Sequence, residues 1–205
     1  VFLGIRAALR HRRGKDRLAG IRVAVQGLGS VGWSLAKKLS QEGAFLTVSD
    51  IDPARAQKAV DHLGARSVLG NAILEADVDV LAPCALGGIL SQETIPLLKA
   101  SIVAGAANNQ LATDRDDNLL RARGILYAPD YVINSGGLMN VAAELAPGGY
   151  DADATMKRVA RIPETLTAIF RRAEEEGKTT EEVAEAMAGE RLGRGRNRGT
   201  AGIRR

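Results

Sequence analysis

Six residues, Gly27-Leu28-Gly29-Ser30-Val31-Gly32, constrain the fold more than any other part of this 205-residue chain. They form a G-x-G-x-x-G between the apolar run at residues 21–25 and a helical stripe of Val31, Leu35 and Leu39. In such a turn Gly27 permits the sharp reversal, Gly29 lets a pyrophosphate approach the backbone, and Gly32 lets the helix pack close to the strand. The first N–H groups of the helix and its positive dipole end then face the phosphates. A second strand over residues 44–48 leads to Asp50, eighteen residues past Gly32. An acid there accepts hydrogen bonds from the adenosine ribose and repels a 2′-phosphate, which predicts NAD rather than NADP. Asp52 competes for that role, but it precedes Pro53 and reads as a helix cap. Glycine is common at any tight strand-to-helix turn, so strand, helix and acid in register carry the reading, not the glycines alone.

The alternation continues along the chain. Residues 1–13 place Phe2, Ile5 and Leu9 at helical spacing, and Pro53 opens a helix over 53–63 in the position where its missing N–H is not needed. Strands are expected over 78–81, 102–104 and 125–127, with helices over 93–99 and 114–121 between them. Past Gly137 only helices are expected, over 138–146, about 152–176 and about 180–190, separated by Pro147-Gly148-Gly149 and Gly177. This order predicts an α/β protein: a Rossmann-type doubly wound parallel sheet with C-terminal helices. Ligands of such sheets sit beyond the carboxyl ends of the strands. Three small or polar loops fall there, at residues 82–88, 105–110 and 128–137. In them Cys84 reads as a nucleophile or as packing, with no histidine nearby to activate it. Asn108 and Asn109 read as ring-side amides or as loop ties, and Asn134 as a ligand or a helix cap.

Composition excludes several classes. With 45% hydrophobic and 25% charged residues the chain can bury a core, and no apolar run approaches the roughly 18 residues of a membrane helix. A single cysteine excludes an internal disulfide framework and fits a reducing, cytoplasmic setting. Cys84 with His11 and His62 makes no zinc cluster, so no metal is expected. Arginines near the start argue against a signal peptide, and a chain that opens on Val1 inside a helical pattern suggests a fragment. The net charge of +4 is uneven: residues 1–20 contribute +5 and residues 191–205 contribute +6, leaving −7 for the body between them. An acidic body with seven aromatics is not a nucleic-acid-binding surface. The arginine–glycine stretch from Arg191 to the end reads as a basic flexible tail beyond a domain of residues 1–190, with RNA binding as the lesser alternative.

Taken together, five stretches resemble the leucine/valine/phenylalanine branch of the amino acid dehydrogenase family. They are VQGLGSVG from Val25, SDID from Ser49, APCALGG from Ala82, AANNQL from Ala106 and YAPDYVINSGGLMN from Tyr127, the last being the most specific. The resemblance runs from about Val1 to about Arg191. It implies oxidative deamination of an apolar L-amino acid, leucine foremost, to its 2-oxo acid and ammonia, with hydride passing to NAD in a homo-oligomeric enzyme. It assigns Gly29, Ser30 and Val31 to the pyrophosphate and Asp50 to the ribose. Cys84, Ala85 and Leu86 fall in the loop beside the cofactor, Ala107 and Asn108 in the loop beside the nicotinamide ribose. Asn134 falls near the nicotinamide and the substrate, and the helix around Thr165 lends part of the side-chain pocket.

One departure matters. The family's catalytic lysine lies in a glycine-rich segment of an amino-terminal substrate domain, and none of the seven lysines here, Lys15, Lys37, Lys38, Lys58, Lys99, Lys157 and Lys178, sits in such a setting. The chain is therefore expected to lack the substrate domain, and no catalytic residue is assigned. Two other functions compete: a non-catalytic NAD-binding module, and a phenylalanine- or glutamate-type dehydrogenase. The apolar run Thr165, Leu166, Ala168 and Ile169 disfavours glutamate.

Overall fold

The computed structural model describes residues 1–145 and 149–200, the last seven of these by backbone alone. The expected connection at Pro147 and Gly148 lies outside the described residues, as do residues 201–205. The chain runs α1 (Phe2–Arg13), β1 (Arg22–Gln26), α2 (Ser30–Gln41), β2 (Phe45–Ser49), α3 (Pro53–Leu63), β3 (Arg66–Ser67), β4 (Val80–Pro83) and β5 (Ile102–Val103). It continues with α4 (Asp116–Ala122), β6 (Leu126–Tyr127), α5 (Asp130–Ile133), α6 (Gly136–Glu144), α7 (Ala152–Val159), α8 (Ile162–Glu176) and α9 (Thr180–Thr200). The six strands form one parallel sheet in the order β3-β2-β1-β4-β5-β6. This is the doubly wound order anticipated from the alternation.

The strands alternate between two cores because successive side chains point to opposite faces. Val23, Val25, Val80, Ala82, Ile102 and Leu126 join α1, α2, α8 and α9 in one buried cluster. Ala24, Leu81, Val103 and Tyr127 join Leu90, Leu98 and Leu120 in the other. Strand order reverses between β1 and β4, whose last residues, Gln26 and Pro83, are register partners. The chains leaving these two strands diverge, which opens a crevice at their carboxyl ends.

Several elements differ from the sequence reading, each for a local reason. The helix expected over 93–99 shrinks to a 3₁₀ turn at Ile95–Leu97, because Pro96 lacks the N–H a longer helix needs. The single helix expected over 152–176 breaks at Ala160 and Arg161, and Pro163 starts α8 in its first turn. Edge strand β3 is two exposed residues with no apolar run, so nothing in its pattern announced it. Helix α9 continues to Thr200, ten residues past the boundary at which a flexible tail was expected to begin. Among the described residues no helix is long and apolar enough to cross a membrane.

Candidate functional site

The glycine loop is built from contacts that only glycine allows. Gly27 has φ +90° and donates its N–H to the Ser49 carbonyl at 2.7 Å. A methyl on Gly27 would meet Ala85 Cβ at 2.8 Å, and one on Gly32 would overlap the Gly27 carbonyl oxygen. Around Gly29 the opposite holds, since nothing lies within 4 Å of where its Cβ would be. Gly29 is the N-cap of α2 and brings no side-chain acceptor, so the first turn of α2, with Ser30 and Val31 exposed, faces the crevice uncapped.

Asp50 does structural work in the same loop. Its Oδ2 accepts the Leu28 N–H at 2.6 Å and its Oδ1 accepts the Asp52 N–H at 2.8 Å. A carboxylate has about four lone-pair sites, so each oxygen keeps one for a further donor. Asp52 caps α3 by accepting the Ala54 N–H at 2.9 Å, and it pairs with Arg55 at 3.4 Å. The two acids are thus separated, with Asp52 the cap.

Cys84 packs beneath the loop rather than presenting a nucleophile. Burial pushes its thiol up to about 11, so the thiolate is scarce near neutral pH. Ala85 sits against Gly27, whereas Leu86 is 83% exposed. Ala107 is buried and, with Ala106, donates its N–H to the Pro83 carbonyl. Asn134 caps no helix with its side chain: its Nδ2 donates to Asn108 Oδ1 at 2.6 Å and to the Ala106 carbonyl at 3.3 Å.

A single cleft of about 1250 Å³ brings part of the expected set together: Ser30, Val31, Asn108 and Asn134 line it. Gly27, Gly32, Cys84, Ala85 and Ala107 support its walls from behind, and Asp50 holds the glycine loop from the β2 side. Met156, Val159 and Ile162 give the same cleft an apolar stretch. The Thr165 assignment shifts accordingly. Thr165 and Ile169 face a neighbouring pocket of about 470 Å³ with Arg158 and Arg161, Leu166 is fully buried, and Ala168 borders a hollow beside α1. Because α8 begins at Ile162 after a break, the cleft-facing residues fall just before the stretch the sequence favoured.

Sequence reasoning gave no role to Asp130 or Gln110. Asp130 is buried and its Oδ2 accepts the Gln110 N–H at 2.8 Å, while Gln110 Nε2 donates to the Ala107 carbonyl at 2.9 Å. Acids beside turns are too common for spacing to single this one out. Among the described residues no group of three or more His, Cys, Asp or Glu could hold a metal ion.

A parallel sheet in this order, with a glycine turn at its switch point, defines a Rossmann-type α/β domain. The chain belongs to the glutamate/leucine/phenylalanine/valine dehydrogenase family, whose sequence profile matches residues 51–195. It is 50% identical over 193 residues to an L-tryptophan dehydrogenase of Nostoc punctiforme, covering 94% of this chain and 54% of that protein. It is 44% identical over 192 residues to a leucine dehydrogenase of Bacillus cereus, covering 94% of this chain and 52% of that protein. The crystal structure of L-tryptophan dehydrogenase from Nostoc punctiforme superposes with a TM-score of 0.91 at 49% identity, over 94% of this chain and 58% of that one. The chain thus spans about half the length of the curated relatives it matches.

Proposed function

We propose that this chain is the cofactor-binding part, residues 1–190, of an NAD-dependent dehydrogenase that oxidatively deaminates an apolar L-amino acid, leucine foremost, to its 2-oxo acid and ammonia. The observation that carries the reading is the one cleft that joins the uncapped start of α2 to the paired amides of Asn108 and Asn134. Its parts fit a dinucleotide. The open space at Gly29 admits a pyrophosphate against the backbone, and the N–H groups of Ser30, Val31 and Gly32 lie where the helix dipole favours negative charge. The spare lone pairs of Asp50 suit the ribose hydroxyls, and its charge disfavours a 2′-phosphate. Cys84, Ala85, Leu86 and Ala107 form the loops beside the cofactor, and Asn108 and Asn134 offer donor and acceptor to the nicotinamide end. NAD, when bound, supplies the hydride acceptor.

The apolar stretch at Met156, Val159 and Ile162 supports a substrate with an apolar side chain. The base that removes the amine proton lies, in this proposal, in a substrate domain outside the chain. A homo-oligomeric, cytoplasmic enzyme completes the reading. An aromatic substrate is the second reading, supported by the name of the Nostoc relative at 50% identity. A panel of L-amino acids assayed for NADH formation with the complete enzyme tests both: leucine, valine or isoleucine should exceed glutamate in kcat/KM. A lead for tryptophan or phenylalanine would install the second reading, and a preference for glutamate would overturn both.

A further inference from the structure

Asp130 and Asn134 stand one helical turn apart at the two ends of α5, on the same side. Both reach the loop at residues 106–110, Asp130 through the Gln110 N–H at 2.8 Å and Asn134 through Asn108 Oδ1 at 2.6 Å and the Ala106 carbonyl at 3.3 Å. Between these attachments Asn109 holds φ +51°, the one positive φ outside glycine among the described residues. Asn tolerates this left-handed region better than most residues, and here both of its neighbours are tied down. Asp130 is 8% exposed, and among the described residues no cation pairs with it. Its donors are the Gln110 N–H and, at the long limit of 3.5 Å, the Tyr127 hydroxyl. A buried carboxylate is costly unless its bonds are good, and the better of these two belongs to the loop.

We propose that Asp130 is a positioning residue for the nicotinamide end of the cofactor, fixing the backbone of Gln110 so that the Asn108 side chain meets Asn134 in the cleft. The inference rests on the NAD reading of that cleft. It predicts a split between the two halves of the ligand. ADP, which lacks the nicotinamide ribose, engages the α2 and Asp50 end and has no need of the Asn108 loop, whereas NAD needs both ends.

Calorimetric titration of the chain with NAD and with ADP, before and after substitution, reads this split. In Asp130→Ala the affinity for NAD should fall about tenfold while that for ADP stays within about twofold. Asp130→Asn keeps a neutral acceptor for the Gln110 N–H, so the NAD-to-ADP affinity ratio should fall only about threefold. If the unsubstituted chain binds neither ligand, the NAD reading fails. If it binds both, and the ratio is unchanged in Asp130→Ala, the positioning role is overturned. Should the alanine variant lose ADP binding through misfolding, Asp130→Asn decides: a lowered ratio sustains the role and an unchanged ratio overturns it.

Discussion

At Gly29 and Gly32 one added methyl has opposite consequences. Gly29 has φ −63° and open space where its Cβ would go, so Gly29→Ala should melt within about 2 °C of the parent. Its NAD affinity should nevertheless fall at least about tenfold, because the methyl fills the space left for the pyrophosphate. In Gly32→Ala the methyl meets the Gly27 carbonyl oxygen, backbone that cannot swing aside. That variant should lose about 2–3 kcal/mol of stability, read by denaturant unfolding. Equal behaviour of the two would refute this division of labour within the loop. Asp50 calls for a gentler substitution than alanine, which would orphan the N–H groups of Leu28 and Asp52. Asp50→Asn removes the charge yet keeps an acceptor. The parent should bind NAD over NADP by at least about tenfold, about 1.4 kcal/mol, and the variant should narrow that gap. A preference unmoved by the substitution would dismiss Asp50 as the discriminator. The turn at Gly27 and the close packing at Gly32 were legible in the sequence because each depends on local backbone geometry. The double duty of Asp50 was not, since its partner Leu28 lies 22 residues away.

Helix α9 docks through its first turn, and that attachment should weaken as pH rises. Thr180 Oγ1 donates to the Tyr127 carbonyl at 2.8 Å, and the Glu181 N–H donates to Asp117 at 3.1 Å. The Glu181 carboxyl is raised from 4.5 to about 7, first by burial and then by the charges of Asp117, Asp130, Glu185 and Asp114. Burial likewise raises Asp117. The folded state therefore holds a proton on Glu181 that the unfolded chain releases near pH 4.5. Stability from this group is full below that pH and is lost as pH rises towards 7. Glu181 is only partly buried, so solvent screening leaves the loss at about 1 kcal/mol, or about 2–4 °C in Tm for a chain of this size. Glu181→Gln should match the parent near pH 4.5 and melt higher at pH 8. Parallel Tm–pH curves for the two proteins would contradict this. At this scale the sequence announced α1, α2, α3 and the central strands, whose apolar periodicity is strong. The break between α7 and α8 had a signal that the expected single helix passed over: Pro163 falls inside residues 152–176, where its missing N–H ends one helix and suits the first turn of the next.

The chain as a whole carries a cleft lined by the start of α2, the 106–108 loop and α5 to α8. Holding an amino acid at near-attack distance from a nicotinamide normally takes a second domain closing over it, and this chain spans about half the length of its curated relatives. Purified residues 1–205 should therefore bind NAD and fail to reduce it with leucine at alkaline pH. Turnover within about a thousandfold of a typical dehydrogenase, on the order of 10 per second, would mean that a base for the reaction lies within the chain. The sequence by itself determined the doubly wound sheet, the glycine turn, the acid after β2 and the family, because these follow from periodicity and from contacts between residues close along the chain. Tertiary structure alone decided that Asn134 reaches Asn108, that Asp130 holds Gln110, and that Val159 and Ile162 rather than Thr165 line the cleft. Those pairings join loops from different strands, and sequence spacing carries no record of which side chains meet once the sheet brings its carboxyl ends together.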